Sequence, residues 1–260
     1  ITTSANTLTM GGVLTAATST LTSAGAGGLA FDAQAVTLSG LVISAGTLTS
    51  TSGVLSLAGD FDNDATFTHN NGNVTFNGTT DQNLGTSAGT QTFYDLTINN
   101  TGADGSDDIT LADPVIVANS LTLTDGHLYT DATNVITFND GATTSSGTDG
   151  SHIVGQVSKI GDDAFVFPTG NGTYFARIGI SAPDNAADQF TAKYTGSAYS
   201  DLTIIGFNNV SNVEYWDLDE DNDAGAGTSI NITLYWEDGT RSGIDDNSSG
   251  DLIVAHITGA

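Results

Sequence analysis

The densest chemistry-bearing run in the sequence is Asp217, Asp219, Glu220, Asp221 and Asp223, with Asn222 between them and Gly225 and Gly227 just after. Carboxylates at alternate positions, helped by amide and main-chain oxygens, suit a hard cation. Calcium takes about six to eight oxygens, and a flexible loop can wrap them around one ion. Asp217, Asp219, Asp221 and Asp223 are therefore the expected ligands and calcium the expected ion. The spacing is not that of an EF-hand, because position 228 is Thr. The run also reads as a solvated hairpin loop between a strand ending near Leu218 and one starting near Ile230. Asp60, Asp62 and Asp64, then Asp104, Asp107 and Asp108, then Asp245, Asp246 and Asp251 are sparser versions, equally readable as polar turns.

Catalytic groupings are thin. Carboxylate pairs for glycoside chemistry are common in so acidic a chain. A lyase acting on acidic sugars also needs cations, yet Lys159, Arg177, Lys193 and Arg241 all lie beyond residue 150. His69, His127, His152 and His256 are scattered without metal-ligand spacing, and no glycine-rich stretch follows a strand and opens a helix to cradle phosphate. A non-catalytic role is expected. Trp216, Trp236, Tyr215 and Tyr235 would make a sugar-stacking platform if exposed. Strand alternation instead puts Trp216 on the face of Leu218 and Trp236 on that of Leu234, which favours packing.

Composition bounds the partners. The 260 residues carry 4 basic and 30 acidic side chains, a formal charge of −26, which repels phosphate and anionic lipid. Nucleic acid and membrane insertion are not expected, and no run approaches the roughly 18 apolar residues of a spanning helix. There is no cysteine, so disulfides, thiolate metal sites and cysteine nucleophiles are excluded. Such a chain suits a bacterial exterior, held together by strands and bound cations.

The elements that would position these groups are strands. Leu8-Thr9-Met10, Val13-Leu14-Thr15, Leu21-Thr22, Val36-Thr37-Leu38, Leu41-Val42-Ile43, Leu48-Thr49 and Val54-Leu55-Ser56-Leu57 are short alternating patches separated by Gly, Ser, Ala and Asn. Leu21 to Gly25 returns as Val42 to Gly46, Gly12-Val13-Leu14 as Gly53-Val54-Leu55, and Asn73 to Gly78 as Asn134 to Gly141. Spacings near one, two and three times 20 residues predict a solenoid of stacked coils, with a series of antiparallel sandwiches as the alternative. After the polar stretch Asp140 to Gly150 the pattern changes. Seven candidate strands follow, at 152–157, 164–167, 174–180, 190–194, 213–218, 230–236 and 252–257. The expected fold is thus all-β: a stacked β-solenoid-like region over 1–150, followed by a β-sandwich over 151–260.

The segment Phe67-Thr68-His69-Asn70-Asn71-Gly72-Asn73-Val74-Thr75-Phe76-Asn77-Gly78, with Asp81-Gln82 and Phe93-Tyr94-Asp95-Leu96-Thr97-Ile98-Asn99-Asn100, resembles the repeated β modules of large secreted surface proteins of Bacteroidota. Phe165 to Pro168, Arg177 to Ser181, Glu214 to Asp219, Ser242 to Asp245 and Asp251 to His256 resemble the segment that follows those modules. The resemblance spans about two thirds of the chain and includes no catalytic signature. It implies an exported, cell-surface or extracellular protein of the kind carried by type IX secretion. The family pattern continues past the last strand with an aromatic, where this sequence has Ile257-Thr258-Gly259-Ala260.

These readings together predict a structural or adhesive surface protein whose partners are copies of itself, in a filament, tube or sheath, or neighbouring modules of a longer surface protein. Glycans are a further candidate partner, through a carbohydrate-binding role. An open coil end made of strand material such as Leu8-Thr9-Met10 invites strand addition by a neighbour.

Overall fold

A computed structural model describes residues 6–86, 89–202, 210–222, 229–237, 239–243, 254 and 256. Strand makes up 52 % of the chain and helix 2 %, so the protein is all-β, as the sequence predicts. Parallel coils stack into a solenoid of about 7 turns. Among the described residues, no helix is long and apolar enough to cross a membrane.

The alternation seen in the sequence becomes the inside and outside of the stack. On one face, Leu14, Val36, Leu55, Val74, Leu96 and Leu121 pair coil to coil, and so do Ala16, Leu38, Leu57, Phe76, Ile98 and Leu123 two residues on. From Val36 and Leu38 onward these columns are buried. Between them runs an outward row of hydroxyls, Thr15, Thr37, Ser56, Thr75, Thr97 and Thr122. Successive rungs stand about 4.8 Å apart. The other faces bury Leu41, Phe61, Leu84 and Leu111, and Leu29, Leu48, Phe93, Val117 and Phe138, in the same core. Phe61, Phe67 and Phe93 meet edge-on or tilted at centroid distances of 5.1 to 5.7 Å.

Corners are closed by side chains rather than by cysteines. Gln82 Nε2 donates to Leu57 O and Gly59 O at 3.1 and 2.6 Å, while its Oε1 accepts from Gly78 N and Asn100 Nδ2. One buried amide thereby ties segments from three coils, satisfying groups that would otherwise be stranded away from water. Asn63, Gln91 and Asp113 do the same elsewhere, through Asn63 Nδ2 to Gln91 Oε1 at 2.7 Å and Gln91 Nε2 to Asp113 Oδ2 at 3.0 Å. Asn70 and Asn71 take φ of 52° and 55°, the left-handed pair a tight turn needs, and Gly72 N closes it on His69 O.

Three details depart from the sequence expectation. Leu21 pairs with Leu41 and Thr22 with Val42, not Leu21 with Val42, because Leu41 and Ile43 are the buried residues and a one-residue slip would turn them outward. Asn73–Phe76 and Ile136–Phe138 lie on different faces, Phe76 against Ile98 and Phe138 against Val117, so their likeness reflects two similar strand-and-corner segments rather than stacking. The stack also does not stop at residue 150. Ile153 pairs in parallel with Thr169, and Phe138 with Lys159.

The sandwich grows out of the last rung. Val157–Ile160 pairs antiparallel with Gln189–Thr195, which pairs antiparallel with Tyr215–Asn222. A second antiparallel sheet joins Phe165–Phe167, Ile178–Ile180 and Ile232–Leu234. Phe165, Phe167, Ile178 and Ile180 from this sheet share the core with Phe190 and Ala192 from the first. Four residues, Gly239–Ser242, form a single helical turn. The expected last strand at 252–257 lies outside the described residues except for Val254 and His256, neither of which is in a strand.

The register makes a quantitative prediction. Phe76→Ala, which empties a fully buried position, lowers the unfolding free energy by about 3–5 kcal/mol. Thr75→Ala, one residue along in the outward row, changes it by less than about 1 kcal/mol. Urea titration of the two variants checks the order, which a slipped register would reverse.

Candidate functional site

The acidic run predicted as a loop is a strand as far as Asn222, so Asp217, Asp219 and Asp221 sit on the exposed side of Tyr215–Asn222. Asp223 lies outside the described residues. Alternate strand residues are about 6.8 Å apart, whereas oxygens sharing one calcium lie within about 5 Å of each other. The strand therefore spreads these three carboxylates rather than gathering them. Asp217 stands opposite Lys193, and burial raises its carboxyl pKa, opposed by Lys193 and reinforced by Asp219. Asp221 Oδ2 accepts from Thr191 Oγ1 at 2.5 Å. Asp219 and Asp221 border a polar depression of about 280 Å³ with Gln156, Ser158 and Thr191.

The structure gathers a different trio, Asp140, Asp162 and Asp163, with carboxylate oxygens within 4.8 Å of one another. A cation of the chain's own is already beside them. Lys159 occupies an inward position of the last parallel rung and is 1 % exposed. Its Nζ donates to Asn139 O and Ile160 O at 2.9 and 2.8 Å and stands 3.8 Å from Asp163. Burial lowers the Lys159 pKa, while Asp163, Asp140 and Asp162 pull it back up. The sequence places Lys159 outside the repeats; the extra parallel rung puts it inside.

The smaller acidic groups resolve into capping and pairing. Asp60 Oδ1 accepts from Asn83 N and Asp64 Oδ1 from Thr86 Oγ1, with Asp62 between them raised by burial and by both neighbours. Asp107 accepts from Gly105 N, and Asp108 faces His127. Asp245, Asp246 and Asp251 lie outside the described residues.

Two histidines that look isolated in sequence are one coil apart and meet. The rings of His127 and His152 lie 4.4 Å apart, edge to face. His152 is fully buried; its Nε2 accepts from Gly172 N at 2.9 Å, so its proton sits on Nδ1, which donates to Thr148 O at 2.9 Å. Burial pushes its pKa down to about 4, helped by His127 and Arg241 and opposed by the Thr148 carbonyl and Asp149. His127 directs one ring nitrogen at Asp108 and the other at Asp149 O. The two are 25 residues apart (152 − 127), longer than the interval of about 20 that the repeats suggest, so the sequence does not show the pair.

The aromatics divide. Trp216 packs against the core and its Nε1 donates to Ala176 O at 3.0 Å, with Tyr194 alongside at 5.3 Å. Its partners fit the packing role that strand alternation favours. Tyr194 donates to Glu214 Oε2, and its pKa is raised by burial and then by that carboxylate. Tyr235 has a different neighbour: the Arg177 guanidinium lies over its ring at 4.3 Å and near Phe175 at 5.7 Å. These residues line a cavity of about 260 Å³ with Thr144, Ser145, Ser146, Val166 and Pro168. No sequence period relates Arg177 to Tyr235 or Ser145, and the pocket is visible only in three dimensions.

No family model matches the chain, and no curated protein or solved structure matches it.

His152 sets a pH dependence. Its folded pKa of about 4 lies below the ordinary 6.5, so between those values the unfolded chain takes up a proton that the folded chain refuses. Stability from this group is intact above pH 6.5, falls as pH drops through the window, and levels off below about pH 4 after a loss of about 3 kcal/mol. In His152→Gln this loss is absent, so the stability gap between the two proteins narrows from pH 7 to pH 4. Chemical denaturation at the two pH values measures it.

Proposed function

We propose that this chain is a non-catalytic extracellular structural or adhesive module, with pairing between copies at its first coil. The observation that carries the proposal is the contrast between the two edges of the main sheet. At the first coil, Leu8 is 44 % exposed and Val13 69 %, and Leu14, Ala16 and Leu21 are only partly covered by the core. At the other edge, Tyr215–Asn222 presents Asp217, Asp219, Glu220 and Asp221. Acidic side chains on a strand with no outer partner among the described residues resist addition of another strand, whereas an apolar first coil with no outer partner among them favours it. Pairing therefore joins first coils to each other or to a neighbouring module rather than running head to tail. The extracellular setting is supported by the cysteine-free, acidic composition and by outward rows of short hydroxyl side chains over a continuous core. Calcium enters as a counter-ion that weakens repulsion between subunits of charge −26.

Sedimentation velocity and negative-stain microscopy test this over a concentration series, with calcium or with chelator at matched ionic strength. Association that strengthens with concentration and calcium, and is lost in the folded double variant Leu8→Lys, Val13→Lys, is the expected result. Monomers under every condition, or association unchanged in the variant, defeat the pairing.

A further inference from the structure

Four basic residues serve a chain with 30 acidic ones, and three of them have carboxylates to face. Lys159 lies beside Asp163, Arg241 Nη2 donates to Asp149 Oδ1 at 2.9 Å, and Lys193 stands opposite Asp217. Arg177 has no carboxylate partner among the described residues, and its Nε is buried without a hydrogen bond. The guanidinium instead lies 4.3 Å from the centre of the Tyr235 ring and 5.7 Å from that of Phe175, and it lines the 260 Å³ cavity. A planar guanidinium presents its donors as a fork matched to a carboxylate.

The remaining walls define the rest of the ligand. Ser145 Oγ already accepts from Leu123 N at 2.8 Å, which leaves its own proton free to donate. Thr144 and Ser146 spend their protons on Ser145 O and Gly147 O, leaving oxygen lone pairs to accept. Val166, Pro168 and Phe175 add apolar surface to the same lining. The lining thus combines groups able to donate to and accept from hydroxyls with apolar surface that the carbon face of a pyranose ring can cover. The volume is below the roughly 300 Å³ where drug-sized pockets begin, enough for one ring.

We propose that this cavity binds a single sugar acid, the hexuronic acid residue of an acidic glycan, with Arg177 and Ser145 donating to its carboxylate and Thr144 and Ser146 accepting from its hydroxyls. The surrounding −26 charge repels anions at long range, and salt screens that repulsion beyond about 8 Å. The site lies at the far end of the stack from the first coil, so this assignment and the pairing of copies stand or fall separately.

Isothermal titration of the full chain with glucuronate, its methyl ester, glucose and inorganic sulfate tests the proposal. Glucuronate binds at least about tenfold more tightly than each of the other three, and Arg177→Gln weakens it by about tenfold or more. Ser145→Ala, a milder change whose fold is checked by circular dichroism alongside Arg177→Lys, weakens it by about threefold or more, as loss of one charge-assisted hydrogen bond does. Equal binding of the ester overturns the role of the carboxylate, and equal binding of sulfate overturns the sugar. No binding of glucuronate up to ~50 mM, a limit far weaker than a millimolar site, overturns the site itself. Binding that is unchanged in folded Arg177→Lys and Ser145→Ala does so as well.

Discussion

Every part of this molecule depends on the parallel ladder holding its register from coil to coil. A strand offers its two sides alternately, so the same hydrogen bonds that join coils decide which side chains enter the core. The intervals between stacked positions are far from constant: Leu14 to Val36 is 22 residues, Val36 to Leu55 is 19, and Leu96 to Leu121 is 25. Register survives because surplus residues leave at corners and at breaks in the ladder, such as those between Ala16 and Thr20 and between Ala24 and Gly28. Corners are accordingly where glycine is needed. Gly46, at φ +76°, has the carbonyl oxygens of Gly25 and Gly27 where a β-carbon would stand.

The same ladder explains what was legible in the sequence. Alternation within a strand is local, so Val54–Leu57 and its relatives could be read directly, and the two-coil echo of Val13-Leu14 in Val54-Leu55 falls where Leu14, Val36 and Leu55 stack. Register between coils is not local when coil length varies. Counting a constant 21 residues from Leu21 reaches Val42, an outward position, while the core selects Leu41. The change at residue 150 was likewise one of composition, whereas the structural change is from parallel to antiparallel pairing and comes only at Val157–Ile160. Candidate chemistry followed the same division. The Asp217 run was conspicuous because its residues are close in sequence, yet a strand holds such residues apart. His127 with His152, and Arg177 with Tyr235 and Ser145, are close only after folding.

Charge is arranged by the same alternation. Most carboxylates of the described residues are exposed or half-buried, but Asp107, Asp113, Asp188 and Glu214 are buried, and Asp113 closes the interior together with the neutral amides of Gln82, Gln91, Asn63 and Asn100. Lys159 is the one buried lysine or arginine among the described residues. Its stem fills an inward position between Phe138 and Phe190 while the ammonium reaches corner carbonyls and the Asp140–Asp163 group. Long cationic side chains commonly divide themselves in this way. Here the division marks the rung at which parallel stacking gives way to the sandwich.

Because each coil touches chiefly the coil before and the coil after, length is a free variable of this architecture. The bonds that hold Val74 to Leu96 are the same in kind as those that hold Val36 to Leu55, and neither refers to the total number of coils. A whole coil gained or lost by recombination between similar gene segments would leave the remaining contacts matched, provided it begins and ends at the same strand position. The closing sandwich, built around Lys159 and Phe190, does not share that freedom. Descendants of such a chain can therefore lengthen or shorten the reach of the sugar-acid cavity from the opposite end by steps of about 4.8 Å, with the cavity itself unchanged.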